Sequence, residues 1–262
     1  LACGSLRLLL AARFYRCGMD MAIETTQLTK KYGRDTALDP LTLRVPEGEI
    51  FGLLGHNGAG KTTTVNILTT LIPASSGSGR ICGYDIDKEA SHVRRNIGYL
   101  PENVQFYGNL TLEENLLFFA GLSGVDRPRQ MVAAALEAVE FTGHGRERLG
   151  TFSKGMRQRA GIAQAILHTP SVLFLDEPTS GLDPQGVAKL REIIINLNRE
   201  FGITIFMNTH LLAEVTKTCT SIGILSSGNL IYHNSVAATL EAFPDQESLE
   251  DIYLHIEAGA RP

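Results

Sequence analysis

Two hydrophobic rhythms alternate along the chain. Short apolar runs at residues 23–28, 41–45, 50–54, 172–175, 203–207 and 222–225 have the length and β-branched content of strands. The runs at 50–54 and 172–175 are uninterrupted, as in strands buried on both faces. Between them, apolar residues recur every three or four positions at 61–71, 111–122, 129–141, 153–168, 184–201 and 211–218, which predicts helices. The punctuation agrees with the periodicity. Thr111 and Glu114 form a capping-box pattern. Asp183 precedes Pro184 as a cap before a first-position proline, and Gly202 follows the end of that helix. Ser248, ahead of Glu250 and Asp251, predicts a cap for a last short helix. Residues 74–83 read as a Ser/Gly-rich turn with a short strand at 80–82, and the turn at Ser227-Gly228-Asn229 leads into an apolar run at 230–232. Residues 84–165 read as mainly helical. This pattern belongs to the α/β class: a mostly parallel sheet covered on both faces and interrupted by a helical insert.

Composition narrows the partners. The 262 residues are 44% hydrophobic and 20% charged, which excludes a disordered chain. A net charge of −4 gives no electrostatic reason to bind nucleic acid. No run approaches the roughly 18 apolar residues needed to span a bilayer. The four cysteines lack metal-ligand or redox spacing and are too few to staple a chain of this size, so a reducing compartment is the default. Residues 1–18, which open on Leu1 and precede Met19 and Met21, read as upstream sequence or a disordered extension and are left out of the fold. The remaining boundaries follow as an extension at 1–20, a working domain at 21–235 with its insert at about 84–165, and a short tail at 236–262.

The chemistry begins directly after the strand at 50–54. Gly55-His56-Asn57-Gly58-Ala59-Gly60-Lys61-Thr62, followed by Thr63, fits the phosphate-loop pattern at every specified position. The glycines let backbone N–H groups curl inward, and the following helix N-terminus adds its dipole. Lys61 supplies positive charge for the β- and γ-phosphates, and the Thr62 hydroxyl is the expected Mg²⁺ ligand. The loop binds a nucleoside triphosphate. A second apolar strand ends in Asp176 and Glu177, at the carboxyl edge where parallel sheets carry ligands. Asp176 is placed to hold Mg²⁺ and Glu177 to accept a proton from the attacking water.

Other motifs stand in fixed order around this pair: Phe152-Ser153-Lys154-Gly155-Met156-Arg157-Gln158-Arg159 before it, Ser180-Gly181-Leu182-Asp183 just after it, and Asn208-Thr209-His210 at the end of the next strand. With them the chain, from Ile23 to Tyr232, resembles the ATP-binding cassette family. The resemblance implies a P-loop NTPase fold with an N-terminal antiparallel β subdomain, ATP and Mg²⁺ as ligands, and ATP hydrolysis coupled to transport. It implies that Tyr32 stacks on adenine, that His210 contacts the γ-phosphate, and that Ser153 and Gly155 grip the nucleotide of a second cassette. Asp183 falls in the loop that crosses that dimer seam. Two positions depart from the family pattern. Lys154 replaces a glycine, and Glu102 stands where Gln is common, with Gln105 a weaker candidate for the same contact with Mg²⁺ or water. These departures and the closing Leu249-Glu250-Asp251-Ile252-Tyr253 resemble the exporter branch with separate membrane permeases. The implied partners are an integral-membrane permease docked on 84–141 and a second copy of the chain, at the cytoplasmic side of the membrane. An importer subunit is the alternative within the family. A soluble cassette acting on ribosome or DNA is the alternative outside transport.

Overall fold

A computed structural model describes residues 17–259. The first strands are long because the two arms of their hairpin pair with each other from Met21–Pro46 to Tyr32–Asp35. β1 (Met21–Tyr32) runs antiparallel to β2 (Asp35–Pro46), and β3 (Ile50–Leu54) is buried throughout. α1 (Lys61–Leu68) is shorter than the periodicity to residue 71 predicts, because Thr70 takes a left-handed conformation that ends the helix (φ 61°). β4 (Ser76–Ile81), β5 (Tyr84–Asp85), α2 (Ala90–Asn96) and β6 (Ile97–Leu100) follow. The insert helices are α3 (Leu112–Leu122) and α4 (Pro128–Ala138), and α5 is Lys154–Ala165. The chain then alternates β7 (Val172–Asp176), α6 (Pro184–Phe201), β8 (Thr204–Thr209), α7 (Leu212–Thr218), β9 (Ser221–Ser226) and β10 (Asn229–Ser235). It closes with α8 (Val236–Ala242) and α9 (Leu249–Glu257), the latter capped by the Ser248 side chain as its sequence predicts.

The helical reading of 84–165 needs one correction. Its first part holds β5, which pairs with β4, and β6, which pairs in parallel with β7 as the edge of the main sheet. Gly98 explains how β6 fits there. A Cβ at this position would lie 2.4 Å from the Ala165 carbonyl oxygen, so only glycine lets the strand lie against α5.

Two sheets result. A six-stranded sheet in the order β10-β9-β3-β8-β7-β6 is parallel except for β10, and a four-stranded antiparallel sheet runs β2-β1-β4-β5. Alternate side chains of the central strands serve two cores, as the two-residue repeat requires. Leu173, Leu175, Ile205 and Met207 face α5, α6 and the insert helices, sharing one core with Leu116, Met131 and Leu197. Phe51, Phe174 and Phe206 face the antiparallel sheet and α1, sharing the other with Ile23, Leu43 and Val65. The phosphate loop emerges between these cores.

The pairing of Ile23 with Ile81 brings the start of β1 against the end of β4. Cys17 packs against that second core and is joined to Cys82 by a disulfide. The cysteine spacing did not anticipate this bond, and residues 17 and 18, read with the extension, lie among the described residues. Residues 1–16 lie outside the described residues.

Candidate active site

β3 delivers the phosphate loop straight from the buried sheet. Gly60 is left-handed (φ 104°), and a Cβ there would sit 2.6 Å from the Ala37 carbonyl oxygen of β2. The loop therefore curls tightly under β2 and opens onto a cavity of about 450 Å³. His56, Asn57, Gly58, Gly60, Lys61, Thr62 and Thr63 line it from the loop, and Glu102, Glu177 and His210 line it from the other side. Gly55 and Ala59 lie buried behind these residues.

Lys61 is 6% exposed. Its ammonium donates to the Gly55 carbonyl at 2.5 Å and the His56 carbonyl at 3.1 Å, with Glu177 Oε1 at 3.8 Å. Burial lowers its pKa below the ordinary lysine value, against the opposing pull of Glu177 and Asp176.

Asp176, at the end of β7, accepts from donors on two elements. The Asn208 amide donates to Oδ1 at 2.7 Å and the Thr62 hydroxyl to the same oxygen at 3.4 Å. The Tyr99 hydroxyl of β6 stands close to the same carboxylate. Burial and the adjoining Asp176 carboxylate push that phenol up to about 12, so it remains a donor at neutral pH. Glu177 follows in a left-handed conformation (φ 46°), which turns it away from the strand direction. Its N–H donates to Asn208 Oδ1 at 2.9 Å, and its Oε2 lies 2.8 Å from His210 Nδ1.

The remaining predicted residues are elsewhere. Ser153 caps α5, its hydroxyl accepting from the Met156 N–H at 3.3 Å. Asp183 caps α6, accepting from the Gly186 N–H at 2.7 Å. With Lys154, Gly155 and Gly181 they line a separate cavity of about 400 Å³. Tyr32 lines neither; it is 51% exposed at the hairpin end, with the Lys30 ammonium 5.0 Å from its ring centre. Gln105 faces a third cavity, beside Phe119 and Gly161. Sequence reasoning missed two residues. Asn208 is fully buried and ties Asp176 to Glu177, and its signal was a polar side chain one residue before the end of an otherwise apolar strand. Tyr99 was hidden because its strand was read as helix.

A strand, a phosphate loop and a helix, facing an acid pair at the end of a parallel neighbour, are the parts of a nucleotide-hydrolysing site. The family model described as ABC transporter matches residues 38–180 of this arrangement. The chain belongs to the ABC transporter family. It is an ATP-binding subunit and an ATPase. It is 43% identical over 213 residues to the bacitracin transport ATP-binding protein BcrA of Bacillus licheniformis, covering 81% of this cassette and 69% of that protein. It is 36% identical to the linearmycin resistance ATP-binding protein LnrL of Bacillus subtilis, covering 80% and 68%. The cassette also superimposes on a dimeric post-hydrolysis structure of the ATP-binding cassette MJ0796 bound to ADP and Pi. That match has a TM-score of 0.73 and 26% identity, and covers 82% of this chain and 98% of that one. Among the described residues of this cassette no helix is long and apolar enough to cross a membrane.

Proposed function

We propose that this cassette is one half of an ATP-driven clamp that powers export through a separate membrane permease, held at the cytoplasmic face of the membrane. The observation that carries the clamp is the separation of two anion-receiving surfaces within one chain. Lys61, Thr62 and Glu177 line one cavity, and Ser153, Gly155 and Asp183 line another. Both Ser153 and Gly155 sit at the N-terminal turn of α5, where free N–H groups and the helix dipole favour phosphate. Two copies arranged head to tail bring the second surface of each onto the nucleotide of the other.

In this reading Asn57, Gly58, Ala59 and Gly60 offer backbone N–H groups to the phosphates, and Lys61 leaves its carbonyl partners to neutralise them. Tyr32, half exposed, offers a ring face to the adenine. Thr62 and Asp176 are hard oxygen donors that converge within 3.4 Å, a donor set suited to Mg²⁺ shared with the phosphates. Bound there, Mg²⁺ offsets charge on the phosphate oxygens. Glu102 completes that wall from the start of the insert. Glu177 takes the proton of the attacking water, and His210, hydrogen-bonded to it, orients the carboxylate and faces the γ-phosphate.

Export is favoured over import by the relatives, one of which is named for resistance to linearmycin. The insert surface within 84–141 is the docking face for the permease, which selects the cargo. Size-exclusion chromatography of the Glu177→Gln chain tests the clamp, with a shift from monomer to dimer expected on adding ATP. A monomer at saturating ATP would sink it. Co-purification of an integral-membrane subunit with the wild-type chain tests the coupling.

A further inference from the structure

The helix that presents one anion-receiving surface is fastened to the wall of the other. α5 lies against the segment from β6 to Val104 through Gln158, Gly161 and Ala165, whose i, i+3 and i+7 spacing puts them on one face. Ala165 receives Gly98 at the far end of the helix. In the middle, a Cβ on Gly161 would run into Leu100 and lie 3.1 Å from Val104 Cγ2, so glycine lets the helix lie flush on this segment. Nearest the N-terminal end, the Gln158 side-chain amide donates to the Glu102 backbone carbonyl at 3.0 Å.

Gln158 is 2% exposed, and the other buried residues of α5 are alanine, glycine and isoleucine. Its carboxamide oxygen is buried without a hydrogen-bond partner among the described residues. Burying an orphan acceptor costs free energy, so packing alone would favour an apolar side chain at this depth. What glutamine adds there is the N–H that reaches Glu102. A carbonyl only accepts, so this contact also decides which end of the carboxamide faces residue 102. Glu102 lines the nucleotide cavity with Lys61, Thr62 and Glu177, whereas Ser153 and Gly155, at the start of the same helix as Gln158, line the second cavity. The backbone of Gln158 thus belongs to one surface, and its side chain holds a residue of the other.

We infer that Gln158 is a positioning residue that couples the two nucleotide-facing surfaces of the cassette. Its hydrogen bond makes Glu102 and the first turns of α5 one body, so Ser153 and Gly155 are presented to a partner in an orientation set by the nucleotide cavity. Without that bond the orientation has to be fixed as the two copies meet, and this ordering weakens association. The inference rests on the clamp reading of Ser153 and Gly155.

ATP-driven dimerisation of the full chain tests the coupling, read by size-exclusion chromatography over an ATP series in the Glu177→Gln background. Adding Gln158→Met keeps the length and packing of the side chain and removes its donor. It should raise the ATP concentration for half-dimerisation about fivefold, the loss of one buried hydrogen bond. Gln158→Glu sets an acceptor against the Glu102 carbonyl and should raise it at least as much. Gln164→Met makes the same chemical change on the last turn of α5, where the side chain makes no hydrogen bond among the described residues, and should leave the ATP requirement unchanged. A residue that served stability alone would change the Tm of the nucleotide-free chain and leave that requirement untouched. An unchanged requirement in both Gln158 variants, or an equal rise in Gln164→Met, would overturn the coupling. Glu177→Gln alone staying monomeric at saturating ATP would overturn the clamp itself.

Discussion

His210 Nδ1 lies 2.8 Å from Glu177 Oε2, although the two residues are 33 positions apart and leave different strands of the sheet. The carboxylate side chain is 11% exposed and the imidazole 47%, so the carboxylate is the more shielded member of the pair. Glu177→Gln should keep ATP binding within a few-fold and lower kcat by about 10²–10⁴, the range for removing a general base. His210→Ala should lower kcat as well, with Glu177 left free to rotate. Steady-state kinetics on both variants checks this, and near wild-type kcat in Glu177→Gln would remove the proton-acceptor role.

The buried ammonium of Lys61 makes stability depend on pH with a definite sign. Its folded-state pKa lies below the ordinary value of 10.5, chiefly through burial. Between these values the unfolded chain binds more protons than the folded one, so this group favours folding more as pH rises toward 10.5. The stability of the nucleotide-free chain minus that of Lys61→Met should therefore increase from neutral pH upward. Urea unfolding of both proteins at a series of pH values measures the difference, and a decrease over that range would contradict the burial of the charge.

The loop and the long helix were legible because local chemistry specifies them. Pro184–Phe201 begins and ends where Asp183, Pro184 and Gly202 say it must, and the phosphate-loop spacing is fixed by the backbone turns it needs. The strand Ile97–Leu100 was not legible. Its four residues follow a helix directly, and the partner that makes them a strand, β7, lies more than 70 positions later. Losing that strand also hid Tyr99 and its place beside Asp176. Tyr32 stands at the hairpin end outside the phosphate-loop cavity, and its position there was not legible, since a hairpin end is placed by the tilt of two sheets, which no spacing records. The Cys17–Cys82 bond arises in the same way, from a long-range register.

Two glycines of the phosphate loop should differ sharply when replaced. Gly60 combines a left-handed backbone with a clash against Ala37, whereas Gly58 (φ 85°) has open space where a Cβ would go. Gly58→Ala should cost only the conformational penalty of about 1–2 kcal/mol. Gly60→Ala adds the displacement of a β2 carbonyl and should cost roughly 3 kcal/mol or more. Chemical denaturation of both variants gives the comparison, and equal losses would mean that β2 yields freely to the loop.

Asn208 offers the sharpest separation of geometry from charge. Its amide donates to Asp176 at 2.7 Å and its carbonyl accepts the Glu177 N–H at 2.9 Å, so one uncharged side chain sets the orientation of both acids. Asn208→Asp preserves shape and the acceptor for Glu177 but turns the donor toward Asp176 into a second acceptor. Two carboxylates then face each other in a buried site, and one must take up a proton or move. Asn208→Ala removes both side-chain bonds; the Glu177 N–H keeps the Asn208 backbone carbonyl at 3.2 Å, so the cost falls mainly on the buried Asp176 oxygen that loses its amide donor, about 1–3 kcal/mol. The alanine variant should therefore lose stability, with kcat reduced and no new ionisation. The aspartate variant should keep an ATPase activity that is highest at low pH, where the added carboxyl is protonated and donates as the amide did. A pH–rate profile for Asn208→Asp that matches the wild type in shape would show that Asn208 does not position the acid pair.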